Sequence, residues 1–334
     1  MPVTARDVAR VAGVSISTVS RALAKPDEVS AETRDKVLST ARGMGYRPNL
    51  AARGLITGRT GNIGLMVPDL ENPFLAAVAK GVQGKARTAG YAVVLADSDE
   101  DPSRERDLVL GMASQVDGLI MCSPRAPDSV IQQLADECTI VLVNRECGDL
   151  PTVSMDNLDG IRQAVNHLRA LGHRTIAWVG GPVTSWSTQR RLEALKSVTA
   201  QDPDLEVIDL GSFQPYVSGG ISAGDLVIAS GATAVLAYND LVAFGLLKRF
   251  RQRGVRVPDD ISVVGVDDIP MSTLTTPELT SVGIPLVNCG RAGVDMLLSL
   301  VRDPSTPPEH HHDLTFRLVV RESTGPAPDT HPGV

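Results

Sequence analysis

From Ile63 onward, short apolar runs alternate with helical patterns, and this alternation limits most strongly what the chain can fold into. Ile63–Val67, Ala92–Ala96, Gly118–Cys122 and Ile140–Val143 read as strands, with helices over Pro73–Ala89, Arg104–Gln115 and Ser129–Asp136 between them. Strands apolar on both faces must be covered on both, as in a parallel sheet flanked by helices. A second series follows Val153–Asn157. Its helices are expected over Gly160–Leu171, Arg190–Ala200, Gly220–Ser230 and Leu241–Gly254, and its strands over Thr175–Val179, Val207–Leu210, Ala234–Tyr238 and Ser262–Val266. Two such series predict two doubly wound subdomains with a cleft at the C-terminal ends of their strands.

The N-terminal stretch Asp7–Arg21 reads differently, as two short helices joined at Gly13. Thr4 can cap the first, with Asp7 as the reciprocal partner, and Val8, Val11 and Ala12 form its inner face. Ser15 suits the N-cap of the second helix. There Val19, Ala22 and Leu23 face inward, leaving Ile16, Ser17, Ser20 and Arg21 outward. Short hydroxylated side chains at a helix N-terminus admit close approach to a phosphate and a groove, and an arginine one turn on can pair with guanine. Ser30 is placed to cap a third helix lined by Val37, Leu38 and Ala41 and ended by Gly43 and Gly45. Asn49 is placed to cap a short segment through Leu55. The same spacings also suit amphipathic surface helices with a serine-rich cap, so charge has to be weighed.

Net charge over 334 residues is −7, which looks wrong for a nucleic-acid binder until it is divided. Residues 1–60 hold 10 Lys and Arg against 5 Asp and Glu, a net of +5, while the remainder carries −12. Attraction to phosphate is thus confined to one end. The four cysteines, Cys122, Cys138, Cys147 and Cys289, have neither zinc-site nor disulfide-framework spacing, which suits a reducing cytoplasm. No secretory leader pattern and no long apolar span is read, so neither export nor a membrane is expected. Adjacent His310, His311 and His312 in a Pro-rich stretch have poor geometry for one ion, and no metal site is expected. Phosphate-cradling glycine motifs, a nucleophile elbow and a zinc-protease helix are all missing from the sequence. The chain is therefore read as a non-enzyme with no cofactor.

Thr4–Leu55 resembles the DNA-binding headpiece and hinge of the lactose-repressor (LacI/GalR) family. The shared pattern is Asp7-Val-Ala, Ala12-Gly-Val-Ser, Thr18-Val-Ser-Arg, Val29-Ser, Thr33-Arg, Tyr46-Arg-Pro-Asn and Ala52-Arg-Gly-Leu. The likeness runs on to about residue 325 through Ile63-Gly-Leu-Met-Val-Pro-Asp69, Asn72-Pro-Phe74, Tyr238-Asn-Asp240 and Pro258–Asp268. It implies an α/β chain: a helix-turn-helix headpiece (1–47), a hinge helix with linker (48–60) and a periplasmic-binding-protein-like core (61–334). The core would comprise one subdomain of about 61–157 with 286–315 and another of 158–285 with 316–327. Operator DNA would be met by Thr4, Ser15, Ile16, Ser17, Ser20, Arg21, Asn49, Ala52 and Leu55, with Leu55 as an apolar wedge in the minor groove.

Polar residues follow several strands: Asp69, Asn144, Arg145, Asn239 and Asp267. Each also has an ordinary use, since Asp and Asn at strand ends cap the next helix. The resemblance implies that Asp69, Asn239, Asp267 and Arg191 hydrogen-bond an effector, with Ser185 and Ser187 on the Arg191 side and Phe74 and Leu75 as walls. Asn144-Arg145 stands where an Asp-Arg pair is more frequent. Phe213, ahead of Tyr216 or Trp186, is the expected apolar platform. The implied function is a homodimeric repressor on a pseudo-palindromic operator, controlled by a sugar or polyol in the cleft. Control by a phosphoprotein co-repressor, or a cytoplasmic ligand-binding protein without DNA function, are the alternatives. The terminus from Gly325 to Val334 has no leucine heptad, so a dimer rather than a coiled-coil tetramer is expected.

Overall fold

A computed structural model describes residues 3–24, 26–46, 59–155, 157–200, 202–307, 310–311 and 314–328. It resolves into two compact units, Met1–Asn62 with Gln115–Asp117, and Ile63–Ser114 with Gly118–Val334.

In the first unit, α1 (Ala5–Ala12) opens on a capping box. Thr4 Oγ1 accepts from Asp7 N at 3.3 Å, and Thr4 N donates to the Asp7 carboxylate at 3.0 Å. Gly13 closes the helix at φ 66°, a left-handed backbone that glycine adopts without a Cβ clash. The next helix, α2 (Ile16–Ala24), is capped by Ser15, whose hydroxyl accepts from Thr18 N at 3.0 Å. A 3-10 turn over Pro26–Glu28, which the sequence pattern does not signal, leads to α3 (Ala31–Gly43), capped by Ser30. Val8, Ala9, Ala12, Val19, Ala22, Val37 and Ala41 form the small core. Val11 departs from expectation: it is 60% exposed, and Ala9 is buried instead. Val8, Ala9 and Ala12 span a narrow arc, and Val11 falls about 110° from its centre at 3.6 residues per turn. At the far end of this unit the Asp117 carboxylate accepts from Thr60 N at 2.5 Å, Thr60 Oγ1 at 2.8 Å and Gly61 N at 3.2 Å. The expected hinge segment and its residues Asn49, Ala52 and Leu55 lie outside the described residues.

The body holds two six-stranded sheets. The first comprises β1 (Asn62–Val67), β2 (Ala92–Asp97), β3 (Leu119–Cys122), β4 (Ile140–Val143), β5 (Thr152–Val153) and β11 (His310–His311), in the order β11-β5-β4-β3-β1-β2. The second comprises β6 (Thr175–Gly180), β7 (Glu206–Ser212), β8 (Ala234–Ala237), β9 (Ser262–Asp267), β10 (Thr280–Gly283) and β12 (Arg317–Val319), in the order β12-β10-β9-β8-β6-β7. Described pairings are parallel except β10 with β12. β1, β3, β4, β8 and β9 are buried almost throughout, and the outer strands β2 and β7 are partly exposed.

Helices α4 (Pro73–Thr88), α5 (Pro102–Ala113), α6 (Asp128–Glu137) and α11 (Leu286–Arg302) cover the first sheet; α7 (Asn157–Ala170), α8 (Trp186–Thr199), α9 (Val217–Ser230) and α10 (Asp240–Arg253) cover the second. α8 starts at Trp186 rather than Arg190 because Ser185 caps it, its hydroxyl accepting from Thr188 N at 3.3 Å. Pairs of glycines let helices cross in contact. A Cβ on Gly220 would stand 2.0 Å from Val242 O, and one on Gly290 2.2 Å from Val78 O. Among the described residues no helix is long and apolar enough to cross a membrane, and no group of three metal-ligating side chains converges.

Candidate functional site

Two regions carry unusual chemistry, one in each unit. In the first, α2 presents Ile16, Ser17 and Arg21 to solvent, with Ser20 half-buried. Ser15 Oγ lies 2.7 Å from Ser17 Oγ and 2.8 Å from Thr18 Oγ1, so the hydroxyls at the start of the helix brace one another. Ile16, 47% exposed, is an aliphatic side chain held at a helix tip without apolar cover. Thr4 faces the capping box, its hydroxyl donating to Asp7 at 2.6 Å.

In the body, strain marks the second region. Every described non-glycine residue at positive φ lies at the C-terminal end of a strand: Asp99 and Glu100 after β2, Ser123 after β3, Asn144 after β4, and Asp267 and Asp268 at the end of β9. Such backbone persists only where its surroundings over-determine it, and it gathers at ligand sites. Of these, Ser123, Asn144 and Asp267 line a cleft between the two sheets, closed to about 20 Å³, room for about one water molecule.

Its walls are built from both sheets. Phe74 and Leu75 come from α4, whose cap Asn72 accepts from Phe74 N at 3.0 Å. Asn144 donates to Ser123 Oγ at 2.8 Å, and its own Oδ1 is buried without a partner. Opposite them, Arg191 on α8 donates to Tyr238 O at 2.5 Å and to Asn157 Oδ1 at 3.2 Å, with Asp267 3.8 Å away. Burial pushes the Asp267 carboxyl well above the usual range, against the pull of Arg191. Asp240, fully buried, holds the Asp267 turn by accepting from Ile269 N at 2.9 Å, Ser272 Oγ at 2.7 Å and Ser281 Oγ at 2.6 Å. Gly265 makes room for it, since a Cβ there would stand 2.2 Å from Asp240 Oδ1.

Phe74, Leu75, Asn144, Arg191, Asn239 and Asp267 thus converge on one cleft. Asn239 also performs the ordinary task, capping α10 through Val242 N at 2.9 Å and donating to Pro215 O at 3.0 Å. Asp69 is not among the residues lining the cleft: it is buried after β1, and its Oδ1 accepts from Glu71 N at 2.8 Å. Tyr216 faces it, and burial first, then the Asp69 carboxylate, hold the Tyr216 phenol far above its ordinary range. Ser185 bonds the Tyr238 hydroxyl at 3.0 Å, behind the wall, and Ser187 is buried nearby. Arg145 points outward to Asp128 at 2.6 Å and lines an outer groove.

Phe213 is not the platform. It packs, partly buried, against the apolar core between the second sheet and α9 and α10, and it is not among the residues lining the cleft. The aromatic rings lining the cleft are Phe74 and Tyr238, the latter with the Arg191 guanidinium 5.3 Å from its centroid. Ser123 and Arg125 escaped sequence reasoning too, although the strand-end rule applied to β3 points to them. Arg125 is held by both Glu100 oxygens, at 2.6 and 2.7 Å, and its backbone N–H donates to the buried Glu105 carboxylate at 2.7 Å.

A headpiece built to approach a polyanion, joined to a two-sheet core whose cleft holds an unsatisfied buried oxygen on Asn144, defines a ligand-responsive DNA-binding regulator. Comparison with known proteins agrees. Residues 4–49 match the bacterial regulatory proteins of the lacI family, and residues 165–324 match the periplasmic binding protein-like domain. The ribose operon repressor of Halalkalibacterium halodurans is 32% identical over 323 residues, covering 96% of this chain and 97% of its own. The lac repressor dimer bound to operator and the anti-inducer ONPF superposes with a TM-score of 0.84 at 29% identity, covering 97% of this chain and 100% of that one. A transcriptional regulator CelR–cellobiose complex gives a TM-score of 0.72 at 30% identity, covering 96% and 99%. The chain belongs to the lacI family of bacterial regulatory proteins.

Proposed function

We propose that this protein is a transcriptional repressor that binds a pseudo-palindromic operator as a homodimer in the cytoplasm and is controlled by a sugar or polyol. The observation that carries this reading is the joining, in one chain, of an exposed Ile16–Ser17–Arg21 face and a cleft lined by Asp267, Arg191 and an Asn144 whose buried oxygen has no partner. Residues 1–47 then serve as headpiece, 48–60 as hinge and linker, and 61–334 as the sensing and dimerising core. The relatives support the regulatory role, and the operator-bound lac repressor dimer supports the stoichiometry.

A cleft with room for one water molecule cannot admit a sugar without opening. The ligand therefore binds the two separations of the subdomains with different affinity, which is the requirement for shifting their populations. Buried carboxylate, amide and guanidinium groups suit vicinal hydroxyls, each able to donate and accept. The test is fluorescence anisotropy of the full chain on duplexes enriched from a random pool, across salt concentrations and a sugar panel. Affinity that falls steeply with salt, and release or tightening by one sugar, is expected. Absence of any enriched duplex overturns the reading.

A further inference from the structure

We propose that Arg321, in the C-terminal segment beyond β12, is a positioning residue of the cleft: acting through Asp268, it fixes the strained turn that aims Asp267 at the ligand. This rests on Asp267 being a ligand-binding group of the cleft.

Asp267 and Asp268 are consecutive non-glycine residues at φ 115° and 51°. Backbone of this kind relaxes unless contacts from elsewhere hold it. Two sets of contacts do so. From within the sheet, Ser281 Oγ accepts from Asp268 N at 3.0 Å and donates to Asp240 Oδ1 at 2.6 Å. From the C-terminal segment, Arg321 Nη2 donates to Asp268 Oδ1 at 2.6 Å, and its Nη1 donates to Leu279 O at 2.7 Å. One planar guanidinium thus joins the turn after β9 to the residue before β10, a fork that a lysine ammonium does not reproduce.

Arg321 is itself anchored. Its backbone N–H donates to Thr280 Oγ1 at 2.9 Å, and those of Glu322 and Ser323 donate to Glu278 O at 3.1 and 2.9 Å. Ser323 Oγ accepts from Thr280 N at 2.8 Å, so the segment cannot slide along β10 without breaking these bonds. The turn is also packed closely against β10, where a Cβ on Gly283 would stand 3.1 Å from Asp268 Cβ. Neither Arg321 nor Asp268 lines the cleft, and of the two chain neighbours of Asp268, Asp267 does and Ile269 does not. What Arg321 fixes therefore reaches the ligand through Asp267. The ion pair of Asp267 with Arg191 is long, 3.8 Å, so the direction of the Asp267 carboxylate is set by its backbone. Binding groups lose affinity when they stray by a fraction of an ångström, which gives a remote guanidinium its leverage.

Calorimetric titration of the full chain with ribose, galactose, lactose and cellobiose tests it, each variant being checked by thermal melting. Affinity for the sugar that the parent binds should fall roughly tenfold in Arg321→Met and in Asp268→Asn, and no further when the two are combined. Arg321→Lys, which keeps the charge without the fork, should fall between, and Arg317→Met, on β12, should bind as the parent does. Operator affinity without sugar should stay that of the parent, which a general loss of folded protein would lower. The carboxyl carbon resonance of Asp267, assigned through Asp267→Asn, reads the turn without any ligand. It should shift in Arg321→Met and Asp268→Asn and stay in place in Arg317→Met. Parent-like sugar affinity in Arg321→Met and Asp268→Asn, or losses that add, overturns the proposal and leaves the cleft reading standing. Parent-like affinity in Asp267→Asn removes Asp267 from the site, and this proposal falls with it. If no sugar binds the parent, the sugar reading falls and the resonance decides the positioning, an unmoved one overturning it.

Discussion

Arg191 and Asp267 lie 3.8 Å apart at the floor of the cleft, both side chains nearly inaccessible to solvent. The distance is long for an ion pair, and Arg191 has other anchors in Tyr238 O and Asn157 Oδ1. Asp267 has no comparable set, and burial raises its carboxyl well above the usual range. The pair is therefore unequal: Arg191 fastens the second subdomain together, while Asp267 is the group with unspent capacity to bind.

Unequal roles predict unequal variants. Asp267→Asn should leave stability within about 1 kcal/mol of the parent, since it removes a poorly solvated charge while keeping the shape. It should abolish the response of operator binding to the effector. Arg191→Ala should cost roughly 3 kcal/mol, because it strands a buried carboxylate and two acceptors. Urea unfolding and operator titrations with and without effector separate the two. An Asp267→Asn protein with the full effector response would sink the assignment.

Among the described residues, Asp117 holds the end of the linker. Asp117 accepts from Thr60 twice and from Gly61 once, so Asp117→Ala leaves three donors to find water. The expected cost is about 2 kcal/mol of local stability. Trypsin cleavage after Arg59 should accelerate, because local opening controls access. Unchanged cleavage kinetics would show that the clamp contributes nothing there.

Base reading by Ile16 should be a methyl contact. An exposed aliphatic tip offers no hydrogen bond, and the thymine methyl is the apolar feature of the major groove. Replacing one critical dT by dU in one selected half-site should weaken binding roughly fourfold, about the worth of one methyl group. Ile16→Ser should lose the discrimination between dT and dU, while Arg21→Ala should retain it at lower affinity. Indifference to every dT-to-dU change refutes the contact.

A pH dependence follows from His173, which is fully buried and bonded to Thr233 Oγ1 at 2.9 Å, Ser262 Oγ at 2.9 Å and Gly325 O at 3.0 Å. Burial lowers its pKa below the ordinary 6.5, so the folded chain holds the ring neutral. Its contribution is complete above about 6.5 and drains away as pH falls and the unfolded chain takes up the proton. Asp240 acts in the opposite sense. Burial pushes its carboxyl up to about 6, so its contribution is greatest below the ordinary carboxylate range and is lost as pH rises through 6. Stability profiles from pH 7.5 to 5 of the parent and a His173→Gln variant should converge toward the acid end. Parallel profiles would rule out His173 as a titrating group.

Much of this molecule is readable from one strand of letters because the governing forces are local. Thr4 with Asp7, Gly13, Ser15 and Ser30 are caps and breaks whose partners lie within a few residues, and apolar runs such as Ile63–Val67 declare burial on both faces whatever covers them. The same periodicity placed Asn144, Asn239 and Asp267 at strand ends, where a doubly wound sheet opens its cleft. Local pattern fails where burial depends on what arrives from afar. Val11 carries an apolar side chain on the wrong side of α1, and Phe213 faces a core rather than the cleft. Arg125 becomes a wall residue only because Glu100 and Glu105, from other turns of the chain, hold its side chain and its backbone. The outer groove lined by Arg145 likewise forms only once Glu146 and Trp186 of α8 are brought together. Sequence determines which segments bury their faces and which polar groups sit at their ends. Tertiary structure alone decides which of those groups are used up by one another and which remain to bind, because hydrogen-bond satisfaction is a property of neighbours in space.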